Sequence, residues 1–222
     1  MEIRFSKPDA MIFDIDGTLF KTESVLERAY YKTFAYLQEN GLYRKQVPPI
    51  EKFYGTLGKL LDEIWAEVLP GETEAVRQIA SEKLHEYELE GLLQGKGELY
   101  GGVAETLKAL HQQGIRLFVA SNGLEEYVKE VVRSCGIAPY FQKVYSAGEY
   151  KTPSKVRLVE MIMEENRLKN AWMIGDRSSD VEAGKANGLV VIGCDYADFK
   201  SDGELDHADA VITDFRQLLT LF

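Results

Sequence analysis

Ala10-Met11-Ile12-Phe13-Asp14-Ile15-Asp16-Gly17-Thr18 is the stretch on which the architecture turns. Four apolar residues in a row, stopped by acids and a glycine, read as a short strand buried on both faces. No second strand follows directly. From Phe20 to Gln94 apolar residues instead recur at helical spacing. Leu26, Tyr30, Phe34 and Leu37 share one face; Leu57, Leu60, Leu61, Ile64, Trp65 and Val68 form a second stripe; Val76, Ile79, Ala80, Leu84 and Tyr87 form a third. Pro48-Pro49 and Pro70-Gly71 separate these segments.

Beyond Gly101-Gly102 the rhythm becomes an alternation of helix and strand. Strands are expected at residues 115–120, 143–146, 171–174, 189–192 and 210–213, with helices between them. Gly114, Gly136 and Gly188 stand where helices should stop. Such alternation predicts an α/β fold, a Rossmann-like parallel sheet with helices on both faces. A small all-helical cap is inserted after the first strand. Residues 1–19 and 95–222 are expected to form the core, and 20–94 the cap.

Composition narrows the function. The 222 residues, 45% hydrophobic, suffice for one sizeable core with a smaller companion. No apolar run approaches the roughly 20 residues that span a bilayer, so no membrane partner is expected. MEIRFSKPDA lacks the apolar stretch of a secretion signal, and Cys135 and Cys194 form no C-x-x-C pair; a cytoplasmic protein with free thiols is expected. A net charge of −10 without a basic patch argues against nucleic acid. A small anionic substrate in a locally positive pocket remains compatible.

Ligands of open parallel sheets bind beyond the carboxyl ends of the strands, so the residues there are the informative ones. Asp14 and Asp16, two apart on an extended segment, point to the same side. They suit a hard cation such as Mg²⁺, or a division of labour between nucleophile and acid. An isolated D-x-D-G is also an ordinary turn with solvated aspartates. Ser121-Asn122-Gly123 offers a hydroxyl, an amide and backbone N–H groups to phosphate oxygens, but S-N-G is a common turn too. A lysine in Lys151-Thr152-Pro153-Ser154-Lys155 could neutralise phosphate, although most lysines are simply exposed. Gly175-Asp176-Arg177-Ser178-Ser179-Asp180 places an acid at a strand tip and a second four positions on, where Ser178, Ser179 or Asp180 could equally cap a helix. Each signal is modest alone. Their placement on successive units of one fold makes coincidence a poor explanation.

In order and spacing these motifs resemble the haloacid dehalogenase-like hydrolases, specifically the phosphoglycolate phosphatase and β-phosphoglucomutase branch. Phe13-Asp14-Ile15-Asp16-Gly17-Thr18-Leu19, Val119-Ala120-Ser121-Asn122-Gly123, the lysine and Ile174-Gly175-Asp176-Arg177-Ser178-Ser179-Asp180 carry the resemblance, which covers nearly the whole chain. It implies a Mg²⁺-dependent phosphatase acting on a small phosphorylated metabolite through an aspartyl-phosphate. The metal would be held by the Asp14 carboxylate, the Asp16 backbone carbonyl and the Asp176 carboxylate, with Asp180 ordering its water. Asp14 would be the nucleophile and Asp16 the acid and base; Ser121, Asn122 and the lysine would stabilise the transferring group. Lys155 is favoured over Lys151 because it opens a helix, as in relatives, whereas Tyr150 and Thr152 replace the Gly and Pro of the Gly-Lys-Pro form. Substrate selection is expected from a cap loop, Tyr54-Gly55-Thr56 extending to Lys59.

Two rivals are retained. A sugar-phosphate mutase is disfavoured by Leu26, which stands where the resembled mutases carry histidine. Lys21 is a further departure, occupying a place where relatives often carry an acid. A catalytically silent relative that binds a partner or phosphometabolite is disfavoured by intact Asp14, Asp16 and Asp176. Gly95-Lys96-Gly97-Glu98-Leu99-Tyr100-Gly101 mimics a dinucleotide fingerprint, but its third glycine is one place late and no strand precedes it. It reads as the return from cap to core. His85, His111 and His207 are too scattered for a metal site, and Asp14-Ile15-Asp16-Gly17 lacks the later ligands of an EF-hand.

Overall fold

The computed structural model describes residues 5–199 and 202–222; the first residues of the expected core segment, 1–4, lie outside this range. β1 (Ala10–Phe13) leads into four helices, α1 (Glu23–Glu39), α2 (Ile50–Tyr54), α3 (Leu61–Val68) and α4 (Glu74–Leu93). The chain continues through α5 (Val103–Gln112), β2 (Arg116–Ser121), α6 (Glu125–Ser134), β3 (Phe141–Ser146), α7 (Ala147–Tyr150) and α8 (Lys155–Glu165). It ends with β4 (Ala171–Gly175), α9 (Ser178–Ala186), β5 (Val190–Cys194) and β6 (Ala210–Ile212).

The strands form one six-stranded sheet in the order β3-β2-β1-β4-β5-β6, parallel throughout. Successive side chains face opposite sides, and the core obeys that period. Met11, Phe13, Leu117, Val119, Trp172 and Ile174 pack against α5 and α6 on one face. Ala10, Ile12, Phe118, Ala120, Met173 and Val191 pack against α8 and α9 on the other. Because β2 and β4 flank β1 and their successors wind outward in opposite directions, a crevice opens at the tips of β1 and β4.

The inserted helices bury a core of their own, in which Leu26, Tyr30, Phe34, Leu37, Trp65 and Leu84 meet. They form the small all-helical cap. The segments entering and leaving it run side by side. Phe20 bridges to Leu99, Lys21 N–H donates to Glu98 O at 2.8 Å, and Tyr100 N–H donates to Leu19 O at 3.1 Å. The G-x-G-like stretch is thus part of this double linker. One boundary differs from expectation: α3 begins at Leu61, not Leu57. Gly58 adopts φ +94°, a left-handed conformation that ends the run of helical dihedrals between α2 and α3.

Candidate active site

The crevice collects most of the expected residues. Asp14 follows β1, Ser121 ends β2, Lys155 opens α8, and Asp176 follows β4. Asp14, Asp16, Ser121, Asn122 and Lys155 line one cleft between sheet and cap. Beside it the carboxylates of Asp14, Asp176 and Asp180 lie within 4.8 Å of one another. All three are buried, as is Lys155.

The Lys155 ammonium is 2.9 Å from Asp14 Oδ1 and donates to Asp180 Oδ1 at 2.6 Å. Burial alone would lower its affinity for a proton, but the charges of Asp14 and Asp180 prevail and raise it, so the lysine stays charged. Lys151 is exposed, with φ +50° at the end of α7. The structure therefore places Lys155, not Lys151, at the cleft. Asp180 also accepts from Arg177 N–H at 3.0 Å, so it caps α9 and belongs to the carboxylate group at once. Burial, followed by the charge of Asp14, pushes its carboxyl up to about 6.

Burial raises the Asp14 carboxyl, opposed by the charge of Lys155, and raises that of Asp176 well above the usual range, reinforced by Asp14 and Asp180. Asp176 Oδ1 accepts from Thr18 Oγ1 at 2.9 Å, while its buried Oδ2 receives no hydrogen bond. Arg177 Nε lies 3.5 Å from that oxygen, but the guanidinium is shared with Glu204 at 3.2 Å. Three buried acids therefore face too little positive charge, and one of their oxygens, Asp176 Oδ2, is left without a hydrogen-bond donor. An all-oxygen site of this kind suits a hard divalent cation. Two glycines make room: a Cβ on Gly17, where φ is +77°, would collide with Asp176 Oδ2, and one on Gly175 would collide with Asp180.

Asp16 turns its side chain elsewhere. Its Oδ1 accepts from Thr22 Oγ1 at 2.8 Å and Tyr127 Oη at 2.7 Å, so neither bond involves Oδ2. Burial raises this carboxyl, and the Tyr127 and Thr22 bonds pull it partly back. Tyr127 belongs to the apolar stripe of α6, and nothing in its spacing marks its hydroxyl as reaching Asp16. Glu88 of α4 also lines the cleft; burial and the charge of Asp16 push its carboxyl up to about 8.

The cap loop requires a correction. Gly55 is exposed with φ −64°, and Thr56 is buried, its hydroxyl donating to Phe53 O at 2.7 Å. Neither lines the cleft, because the turn after α2 directs both away; Leu57, Gly58 and Lys59 line it instead. Lys59 is paired with Glu67. Asn122 Nδ2 donates to Gly58 O at 2.8 Å, so the amide that the sequence reading set beside a phosphate holds the cap. Ser121 Oγ accepts from Gly123 N–H at 3.1 Å. Arg177 Nη2 donates to Tyr54 O at 2.9 Å, and the Tyr54 ring stacks on Phe199 with centroids 5.4 Å apart.

Removing Lys155 should harm the molecule far more than removing Lys151. Lys155→Ala leaves Asp14 and Asp180 buried against each other, a loss on the order of 3–5 kcal/mol of stability for a broken buried pair. Lys151→Ala should stay within about 0.5 kcal/mol of wild type, as surface substitutions usually do. Thermal unfolding and turnover of both variants check this. A crippled Lys151→Ala beside an unaffected Lys155→Ala would reverse the assignment.

Comparison with known proteins agrees with this geometry. The chain is 29% identical to the phosphoglycolate phosphatase of Photobacterium profundum over 93% of this chain and 92% of that protein. It is 23% identical to the pyrophosphatase PpaX of Listeria monocytogenes, covering 86% and 85% respectively. The fold is that of CbbY from Rhodobacter sphaeroides, with a TM-score of 0.79 at 23% identity and 96% of each chain covered. The family model for haloacid dehalogenase-like hydrolases matches residues 8–188, most of the chain, and the protein belongs to that family.

Proposed function

We propose that the protein is a Mg²⁺-dependent phosphatase that hydrolyses a small phosphomonoester through an aspartyl-phosphate on Asp14. The observation that carries this reading is the contrast between two carboxylates two residues apart. Asp14 faces the cleft against Lys155, while Asp16 is held by its own donors with Oδ2 spared. The similarity to a phosphoglycolate phosphatase and a pyrophosphatase supports phosphorus as the atom attacked.

In the first step an Asp14 oxygen bonds to phosphorus as the ester P–O bond breaks. Asp16 gives its proton to the departing oxygen. In the second, the Asp16 carboxylate takes a proton from water, whose oxygen attacks phosphorus and frees the Asp14 carboxylate with inorganic phosphate. Lys155 offsets negative charge beside the transferring group, and Ser121 and Asn122 border it. Asp14, Asp176 and the Asp16 carbonyl would hold the cation, with Asp180 beside them. When bound, the cation would neutralise charge between a carboxylate nucleophile and an anionic phosphate. Leu26 lies fully buried in the cap core, and its side chain has no proton-handling group where the resembled mutases carry histidine.

Phosphate release from p-nitrophenyl phosphate tests the proposal. Turnover with Mg²⁺ should fall about 10²-fold or more in excess chelator and return when Mg²⁺ is restored. Undiminished turnover after metal removal would refute the metal requirement. No phosphate from this ester or any of a metabolite panel would refute the phosphatase.

A further inference from the structure

We infer that the alcohol released from phosphate is largely apolar and carries no negative charge, and that Glu88 helps to exclude an anionic one. This rests on the phosphatase reading and adds the substrate class. The cap side of the cleft is built from Phe53, Leu57, Leu61, Ile64 and Leu84, with no unengaged cation among them. The positive or basic groups that line the cleft are each committed. Lys155 is held by Asp14 and Asp180, Lys59 pairs with Glu67, and His85 Nε2 lies 3.1 Å from Glu126. Lys59 comes accompanied by Glu67, so that pair brings no net positive charge to the wall.

Glu88 lies one turn beyond Leu84 on the same face of α4, and no described cation is paired with it. Ionised, it repels an anion and attracts an ammonium. Protonated, it is a neutral donor and acceptor suited to a hydroxyl. In neither form does it provide the positive charge that a buried carboxylate or phosphate needs on leaving water. Glycolate and inorganic phosphate, the leaving groups of phosphoglycolate and pyrophosphate, would meet hydrocarbon, Glu88 and Asp16 there. An alkyl or aryl alcohol would bury its carbon against the cap instead.

Rates on 2-phenylethyl phosphate, phosphoglycolate and pyrophosphate with the Mg²⁺-loaded enzyme provide the test. Wild type should favour the phenylethyl ester in kcat/KM by about tenfold or more over both anionic substrates. Competitive inhibition should follow suit, with 2-phenylethylphosphonate binding more tightly than phosphonoacetate. Glu88→Lys should move the phosphoglycolate-to-phenylethyl ratio upward by about tenfold, since it brings a cation to the wall. If that variant fails to fold, the wild-type ranking and the inhibitor pair decide alone. Preference for phosphoglycolate or pyrophosphate overturns the inference and leaves the phosphatase intact. Release of phosphate from none of the three, nor from p-nitrophenyl phosphate, removes both.

Discussion

Asp14→Asn should yield a folded protein that does not turn over. The amide is nearly isosteric, so the main chain, anchored by Asp14 N–H to Ile174 O at 3.0 Å, has no reason to move. One of three crowded buried carboxylates loses its charge, which relieves repulsion with Asp176 and Asp180 while giving up part of the Lys155 pairing. Thermal stability should therefore stay close to wild type. Chemistry should not survive: a neutral amide is a poor nucleophile, and the cation would lose a charged ligand. The expected fall in kcat is about 10³-fold or more. Phosphate release from protein verified as folded by circular dichroism measures it. Near-normal activity in such a sample would sink the mechanism.

Asp16→Asn should cost about 10²–10⁴-fold, the range typical of a positioned acid and base. The local structure favours a clean comparison. An asparagine oxygen can still accept from Thr22 and Tyr127, so the substitution removes a transferable proton rather than the geometry. Loss should depend on the leaving group. p-Nitrophenolate departs with little protonation, so the first step with its ester should suffer less than with an alkyl phosphate. Burst rates of the variant on both substrates separate the cases. An equal loss on the two would make Asp16 a positioning residue for the loop.

The sheet and motifs were legible because their signals are local. Ala10–Phe13 reads as a buried strand from four adjacent residues, and the acids and lysine stand at strand or helix ends that punctuation reveals. The order β3-β2-β1-β4-β5-β6 was not legible, since it depends on contacts between distant segments. Tyr127 shows why one site partner stayed hidden. Its ring packs in the core as its spacing predicts, while its hydroxyl reaches across 111 positions to Asp16. The cap loop failed for another reason. Sequence shows that Gly55 and Gly58 are glycines but not which takes the left-handed conformation; Gly58 does, and of the expected segment 54–59 only its second half, Leu57, Gly58 and Lys59, lines the cleft.

The fastening of the cap to the core bears on how this protein can change over generations. Asn122 and Arg177 hold the loop by the carbonyl oxygens of Gly58 and Tyr54, atoms that every amino acid carries. Mutations in the side chains of Leu57 or Lys59 leave both grips untouched. Gly58 has no such freedom, because its φ is +94° and a Cβ there would sit 2.9 Å from Arg177 Cγ. A lineage can thus retune what the loop presents to the cleft one codon at a time, without first loosening closure. Drift is tolerated at the reading residues and barred at the fulcrum between them.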